Sequence, residues 1–404
     1  MSGSLNLSLM PANARWKRMR RIIHEGFNPR ATEAYAHMQA EEAGRLCRYL
    51  LQHPDCDVYH AMERAAASVI FRALYDAPSL FSSATAEEKV EELNRQMDAS
   101  LHAAMPLAYL VDTFPVMKHL PSWVAPWKRY GEAHFKRVDV FTTGLYEEGC
   151  HSKLQGGKAK GFAAVSEETR AQFNLTSQEA AWTAGVVFGA GSETSASTMQ
   201  AFVLAMLLYP AVQKKAQAEI DAILGPSPPI LADKDKLPYI QALVKETLRW
   251  KPPVTGGFPH LTSEAVQWGE YVIPKDTIIM GSIWSINHDP AVFPSPSVFH
   301  PGRFLTPDGT SLRAPLPHYH DDDVAYGHGR RLCPGRHFAN NMLFLEMTYL
   351  LWAFDILKAQ DADGVEITPD DMQFVDKGLS CRPADFPCVF RPRQANLNQI
   401  LPII

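Results

Sequence analysis

The chain has 404 residues, 46% of them hydrophobic and 21% charged, with a formal net charge of −5. That is an ordinary globular balance, with ample length for a sizeable core and room for one large domain or two to three small ones. The mild acidity gives no footprint for a nucleic-acid or acidic-polymer partner.

The N-terminal stretch MSGSLNLSLM lacks the charged and apolar regions of a signal peptide. The most apolar stretches, near 180–210 and 342–357, are broken by Ser192-Glu193-Thr194 and by Glu346. The chain as written is therefore expected to carry no membrane anchor. Helical spacing runs through 14–26, a short basic segment, then 31–52, 57–76, 86–105 and 127–150. A long helix is predicted from Ser177 to Leu208, stopped by Tyr209-Pro210. Helices over 211–224 and 237–250 follow, ended by Gly225-Pro226 and by Pro252-Pro253. Residues 253–285 alternate β-branched residues with turn signals and are predicted as short strands. Residues 289–318 are proline-rich and irregular, 334–355 read as a last long helix, and 371–392 as strands. No repeat or long linker divides the chain, so the expected fold is mainly α with small β-sheets, a single domain over 1–404.

Six cysteines, Cys47, Cys56, Cys150, Cys333, Cys381 and Cys388, form no C-x-x-C pair. This argues against a disulfide framework or a zinc ribbon and suggests a reducing compartment. Cys333 has the most distinctive setting, YGHGRRLCPGRHF at 326–338. Arg330 and Arg331 precede it and a helix start follows, both of which favour thiolate. Gly327, Gly329 and Gly335 allow a tight turn and a close approach by a flat partner. A buried structural cysteine is the commonest fate of such a residue. Zinc held by His328, Cys333 and His337 lacks a fourth ligand, and a nucleophile paired with a distant histidine is a third reading.

The loop resembles the haem-binding loop of the cytochrome P-450 superfamily, F-x-x-G-x-R-x-C-x-G. Gly329, Arg331, Cys333 and Gly335 match, and Tyr326 replaces the usual phenylalanine. Other segments fall in the family's order. WKRMR at 16–20 resembles W-x-x-x-R through Trp16 and Arg20, although by itself it is an ordinary basic helix face. AGSET at 190–194 resembles A-G-x-[DE]-T. Taken alone, Thr194 would bond back to the preceding turn and Glu193 would face solvent. KETLR at 245–249 holds E-x-x-R through Glu246 and Arg249, one helical turn apart. FHPGRF at 299–304 resembles P-x-R-F, with Arg303 retained and Gly302 in place of an acidic residue.

The resemblance covers the chain from about residue 10 and is strongest to the fungal secondary-metabolism branch. It implies haem b with Cys333 as axial thiolate, with Trp16, Arg20, Arg331 and His260 at the propionates and Tyr326, Gly329 and Gly335 shaping the loop. It implies that Gly191 leaves room for dioxygen where the long helix is distorted, and that Thr194 and Glu193 supply protons. It implies a buried Glu246–Arg249–Arg303 network and a substrate pocket lined by Val187, Phe188, Ala190, Val254, Thr255, Gly257 and Leu379. The implied activity is insertion of one oxygen atom from O2 into an apolar small molecule. Electrons come from NADPH through a reductase facing Lys17, Arg18 and Arg21. The endoplasmic reticulum membrane surface is the family's usual place, and a cytoplasmic protein is the alternative without an anchor. About a hundred residues that precede W-x-x-x-R in the family, carrying the anchor and the first sheet strands, are absent from the sequence. The alternatives are therefore a truncated, non-catalytic haem-binding remnant and a haem-thiolate isomerase or dehydratase.

Overall fold

The computed structural model describes residues 1–104, 107–152, 161–316 and 324–403. Helix α1 (Ala14–Phe27) starts where the Asn13 side chain accepts the Trp16 N–H at 2.9 Å, a cap that contributes about 1 kcal/mol. The segment predicted as one helix over 31–52 is two, α2 (Pro29–Glu33) and α3 (Ala36–Gln52). Asn28 ends α1 and caps α2, which sets the corner between them. Helices α4 (Val58–Tyr75) and α5 (Ala84–Ala104) follow, and the last residue predicted for α5, 105, lies outside the described residues. A short turn, α6 (Leu110–Thr113), leads to α7 (Pro126–His151) and α8 (Phe162–Thr169).

The central helix is α9 (Ser177–Leu208). Thr176 and Glu179 form a reciprocal capping box at its start, and Pro210, the first residue of α10 (Pro210–Ile223), lies just beyond its end. Helix α9 packs against α4, α7 and α13 (Arg336–Ala353) around one apolar core. Its glycines set the approach of three neighbours. A Cβ on Gly185 would lie 2.8 Å from Thr142 of α7, and one on Gly191 would lie 2.6 Å from Ile70 of α4. One on Gly189 would collide with the terminal methyl of Met97 on α5.

After α11 (Pro238–Trp250) come two small antiparallel pairs. Strand β1 (His260–Leu261) pairs with β4 (Ile278–Ile279), and β2 (Val266–Trp268) with β3 (Tyr271–Ile273). Residues Ile283–Asn287, the first three of them predicted as strand, form a helical turn, α12. The His288 ring stacks on Trp284 four residues earlier at 3.7 Å between centroids, a contact that helical spacing permits. Residues 289–316 are mostly irregular, and 317 and 318 lie outside the described residues. The last long helix ends at Ala353, two residues before its predicted end, because Phe354 opens strand β5 (Phe354–Lys358). Strand β5 pairs with β8 (Cys388–Pro392), and β6 (Phe374–Asp376) with β7 (Cys381–Pro383). Helix α14 (Leu397–Ile400) closes the described chain.

Among the described residues no single helix is long and apolar enough to cross a membrane. Helices α9 and α10 pass that test only as a pair, bent by 106°.

Candidate active site

Cys333 lies in the loop before α13. Its N–H donates to the Tyr326 carbonyl at 2.9 Å, which closes the loop on itself. Gly327 and Gly329 have φ of +81° and +55°, where glycine is favoured, and a Cβ on either would meet nothing within 4 Å. Their backbone conformation, rather than a packing contact, accounts for these two glycines. Gly335 has φ of −89°, which any residue adopts, and a Cβ there would lie 4.0 Å from Cys333 Sγ. The Tyr326 hydroxyl donates to Asn340 Oδ1 on α13 at 2.8 Å, so the tyrosine that replaces phenylalanine has its hydroxyl engaged by the helix.

The sulfur is deep in the molecule, although Cys333 as a whole is only half-buried. The sequence predicts that charge and the helix start stabilise a thiolate. In the structure burial is the larger influence and pushes the Cys333 thiol up. The Gly335 N–H and the Arg20 and Arg336 guanidiniums pull the other way without cancelling it. The loop alone therefore holds a thiol, and a bound cation at the sulfur would complete its ionisation.

Two distant segments meet at this loop. Arg20 of α1 donates to the Leu332 carbonyl, 312 residues away in sequence. Arg331 lies over the Trp16 ring at 4.3 Å and Arg20 lies 5.6 Å from the same ring. Arg331 also donates to the carbonyls of Leu7, at 3.5 Å, and Met10, at 2.5 Å. Trp16 is buried, whereas Lys17 and Arg21 are exposed on the outer side of α1 and Arg18 is half-buried. His260 is exposed on β1. Its hairpin borders the cysteine loop, since a side chain on Gly281, just past β4, would meet the His328 ring at 3.6 Å.

Helix α9 is buried along most of its length, but Ala190 is exposed and Val187 and Thr194 are half-buried. These positions, spaced i, i+3 and i+7, share one face of the helix, its less buried one. Gly191, expected to leave room for dioxygen, is half-buried, and a Cβ on it would meet Ile70, whereas Ala190 beside it is exposed. The helix also runs unbroken through AGSET. Phe188, predicted to line the substrate pocket, is buried with its ring edge-on to Phe71 at 6.1 Å. Thr194 Oγ1 donates to the Ala190 carbonyl at 2.7 Å, the local bond expected of a mid-helix threonine.

Glu193 does not face free solvent. Ser380 Oγ donates to its Oε1 at 2.5 Å, and Lys377 Nζ lies 3.7 Å from the same oxygen. Sequence reasoning missed both residues, which sit in a turn between β6 and β7 that no motif marks. The next N–H, of Cys381, donates to the Pro253 carbonyl at 2.8 Å. Half-buried Val254, Thr255, Gly257 and Leu379 therefore belong to two segments tied together beside α9. Lys251, also missed, is buried against the rings of Trp250, Trp284 and Phe374, and it donates to the Asp371 carbonyl. That contact fixes the C-terminal strands to the end of α11.

The E-x-x-R pair is fully buried. Arg249 grips Glu246 with two bonds of 2.7 and 2.8 Å, and Arg303 adds one of 3.2 Å. The His300 N–H donates to Glu246 at 2.7 Å. Both guanidiniums spend their remaining donors on carbonyls of 287–298, among them Asn287, Pro294, Pro296 and Val298. Every charge in the network has partners, the condition under which such burial is tolerated.

These features define a helical protein with a sulfur ligand site in the loop that opens its last long helix. The cytochrome P-450 family model matches residues 4–379. Cytochrome P-450 monooxygenase 253 of Postia placenta is 41% identical over 382 residues, covering 94% of this chain and 71% of that protein. A cytochrome P-450 monooxygenase of Armillaria gallica is 36% identical, with 94% and 72% covered. The solved zebrafish cytochrome P-450 with progesterone superposes with a TM-score of 0.77 at 22% identity, covering 97% of this chain and 85% of that one. The chain belongs to the cytochrome P-450 family and is a haem-thiolate monooxygenase.

The residues present suit that cofactor. A half-buried cysteine with guanidiniums beside it and an exposed alanine in the middle of the core helix suit a flat, dianionic, iron-bearing ring.

Proposed function

We propose that Cys333 would hold the haem iron through its thiolate and that the chain, as one domain, oxidises an apolar small molecule of fungal secondary metabolism. The observation that carries the assignment is the meeting of Trp16 and Arg20 with Arg331 and the Cys333 loop. Trp16, Arg20 and Arg331 hold the propionates, with His260 as a further contact. Gly329 and Gly335 leave space for the ring, and Tyr326 shields the sulfur. When bound, the haem supplies dioxygen activation, and its cysteine ligand favours O–O cleavage. The chain's own residues supply the rest. Thr194 holds a proton on the open face of α9, and Glu193 replenishes it. Val187, Ala190, Val254, Thr255, Gly257 and Leu379 form an apolar wall for the substrate, with Phe188 behind it. Lys17, Arg18 and Arg21 give an NADPH-dependent reductase a basic face on the outer side of α1. The working location is the surface of the endoplasmic reticulum membrane.

The test is the absorption spectrum of the reduced, carbon monoxide-treated protein. The wild type gives the red-shifted band of a thiolate-bound carbonyl haem, and Cys333→His moves it to the histidine-ligated position. An unchanged band in Cys333→His would remove Cys333 from the iron.

A further inference from the structure

We propose that the turn joining β6 to β7 is a clamp that positions Glu193 for proton supply, with Ser380 and Lys377 as its two jaws. This rests on the reading of Glu193 given above. The contacts are specific. Ser380 is buried, and its Oγ donates to Glu193 Oε1 at 2.5 Å. The Lys377 ammonium lies 3.7 Å from the same oxygen. A charge-assisted bond plus an ion pair on one oxygen fixes the carboxylate far better than either contact alone. The turn is itself braced. Lys377 N–H donates to the Ser380 carbonyl at 3.0 Å, and Gly378 N–H to Asp376 Oδ1 at 2.7 Å. Gly378 has φ of +91°, a conformation that favours glycine at the tip.

The surroundings connect the clamp to solvent. Lys377 Nζ lies 5.6 Å from the Tyr59 ring, over which Arg382 also sits at 4.0 Å. Glu63, one helical turn along α4 from Tyr59, is half-buried and faces Lys377, His60, Asp98 and Glu193. Burial pushes its carboxyl up, against the pull of Lys377. The Lys377 side chain is 33% exposed. The ammonium therefore stands between bulk water and two carboxyl groups, one of them next in sequence to Thr194. Leu379 lies between the jaws in the chain, so a substrate seated against it presses on the turn that holds Glu193. That links occupancy of the pocket to the geometry of the proton donor.

The experiment needs no known substrate. The haem-loaded protein is driven by a reductase, and oxygen reduction is divided between two outcomes. One NADPH, one O2 and one proton give hydrogen peroxide; two NADPH, one O2 and two protons give two waters. Misplaced proton supply raises the peroxide share. Glu193→Gln, Ser380→Ala and Lys377→Met are each expected to raise the peroxide-to-water ratio, Ser380→Ala by about 10-fold, as for loss of one charge-assisted bond, and Lys377→Met by about 2- to 5-fold, as for a partly exposed ion pair. Ser380→Thr and Lys377→Arg restore it, and Ser380→Ala adds nothing in the Glu193→Gln background. A second readout is amide hydrogen exchange of residues 377–381, measured without turnover, which Glu193→Gln should speed. If Glu193→Gln raises peroxide while Ser380→Ala and Lys377→Met do not, the clamp is refuted and Glu193 keeps its role. If Glu193→Gln leaves the ratio unchanged, the role of Glu193 fails and the proposal with it. Unchanged exchange at 377–381 in Glu193→Gln also overturns the clamp.

Discussion

Replacing Glu346 by leucine is expected to stabilise the protein, and to do so more strongly as pH rises. Glu346 lies in the middle of α13, 1% exposed, and neither carboxylate oxygen has a hydrogen-bond partner among the described residues. Its neighbours on α3 are Cys47 and Glu42, the latter already held by Arg45 and Arg72. Burial, aided by the Glu42 charge, pushes the Glu346 carboxyl up from 4.5 to about 8. The folded state thus binds a proton that the unfolded chain releases. The sign follows from linkage: the stabilising effect of that proton is complete below pH about 4.5 and is lost as pH climbs to about 8. At about 1.4 kcal/mol per pH unit, the wild type loses about 3 kcal/mol by pH 7 and about 5 kcal/mol above pH 8. Leucine has similar bulk and nothing to ionise, so Glu346→Leu removes this slope. Glutamine removes the slope too, but keeps a buried amide in need of partners and gains less. The assay is urea unfolding of the haem-loaded protein from pH 5 to 9. A Glu346→Leu midpoint that runs parallel to wild type across that range would refute the reasoning.

Gly191→Ala places a methyl 2.6 Å from Ile70 Cδ1 and should cost about 1–3 kcal/mol; thermal unfolding of Gly191→Ala/Ile70→Val should recover most of it. Equal stability of the single and double variants would show that the glycine faces elsewhere. Glu246→Gln strips the carboxylate from two guanidiniums, Arg249 buried and Arg303 largely so, and should cost about 3–5 kcal/mol, read as a lower urea midpoint and faster haem loss.

Much of the fold was legible in the sequence because its punctuation is chemical. Pro210 and the Thr176–Glu179 box bound α9 where the spacing puts it. Strand pairing was less legible, since β1 to β4 are two or three residues each and exposed, so no burial pattern announces them. Residues 283–285 suit a strand in the sequence because isoleucine and tryptophan suit either state, whereas the structure has a helical turn there with Trp284 stacked on His288. At the site, E-x-x-R and the later arginine do converge, as the family order implies. Ser380 and Lys377 were invisible because their partner, Glu193, lies 187 residues from Ser380 and neither belongs to a recurring string.

The three glycines of α9 also constrain how this chain can change over generations. Gly185, Gly189 and Gly191 each accept a side chain from a different helix, Thr142, Met97 and Ile70. An enlargement at any one of them needs its partner to yield, by a shift of a side-chain end such as the Met97 methyl or by shrinking, whereas the partner can shrink first at the cost of a cavity. The accessible order of substitutions is therefore biased at each contact. Three helices share their mutational history through the backbone of a fourth.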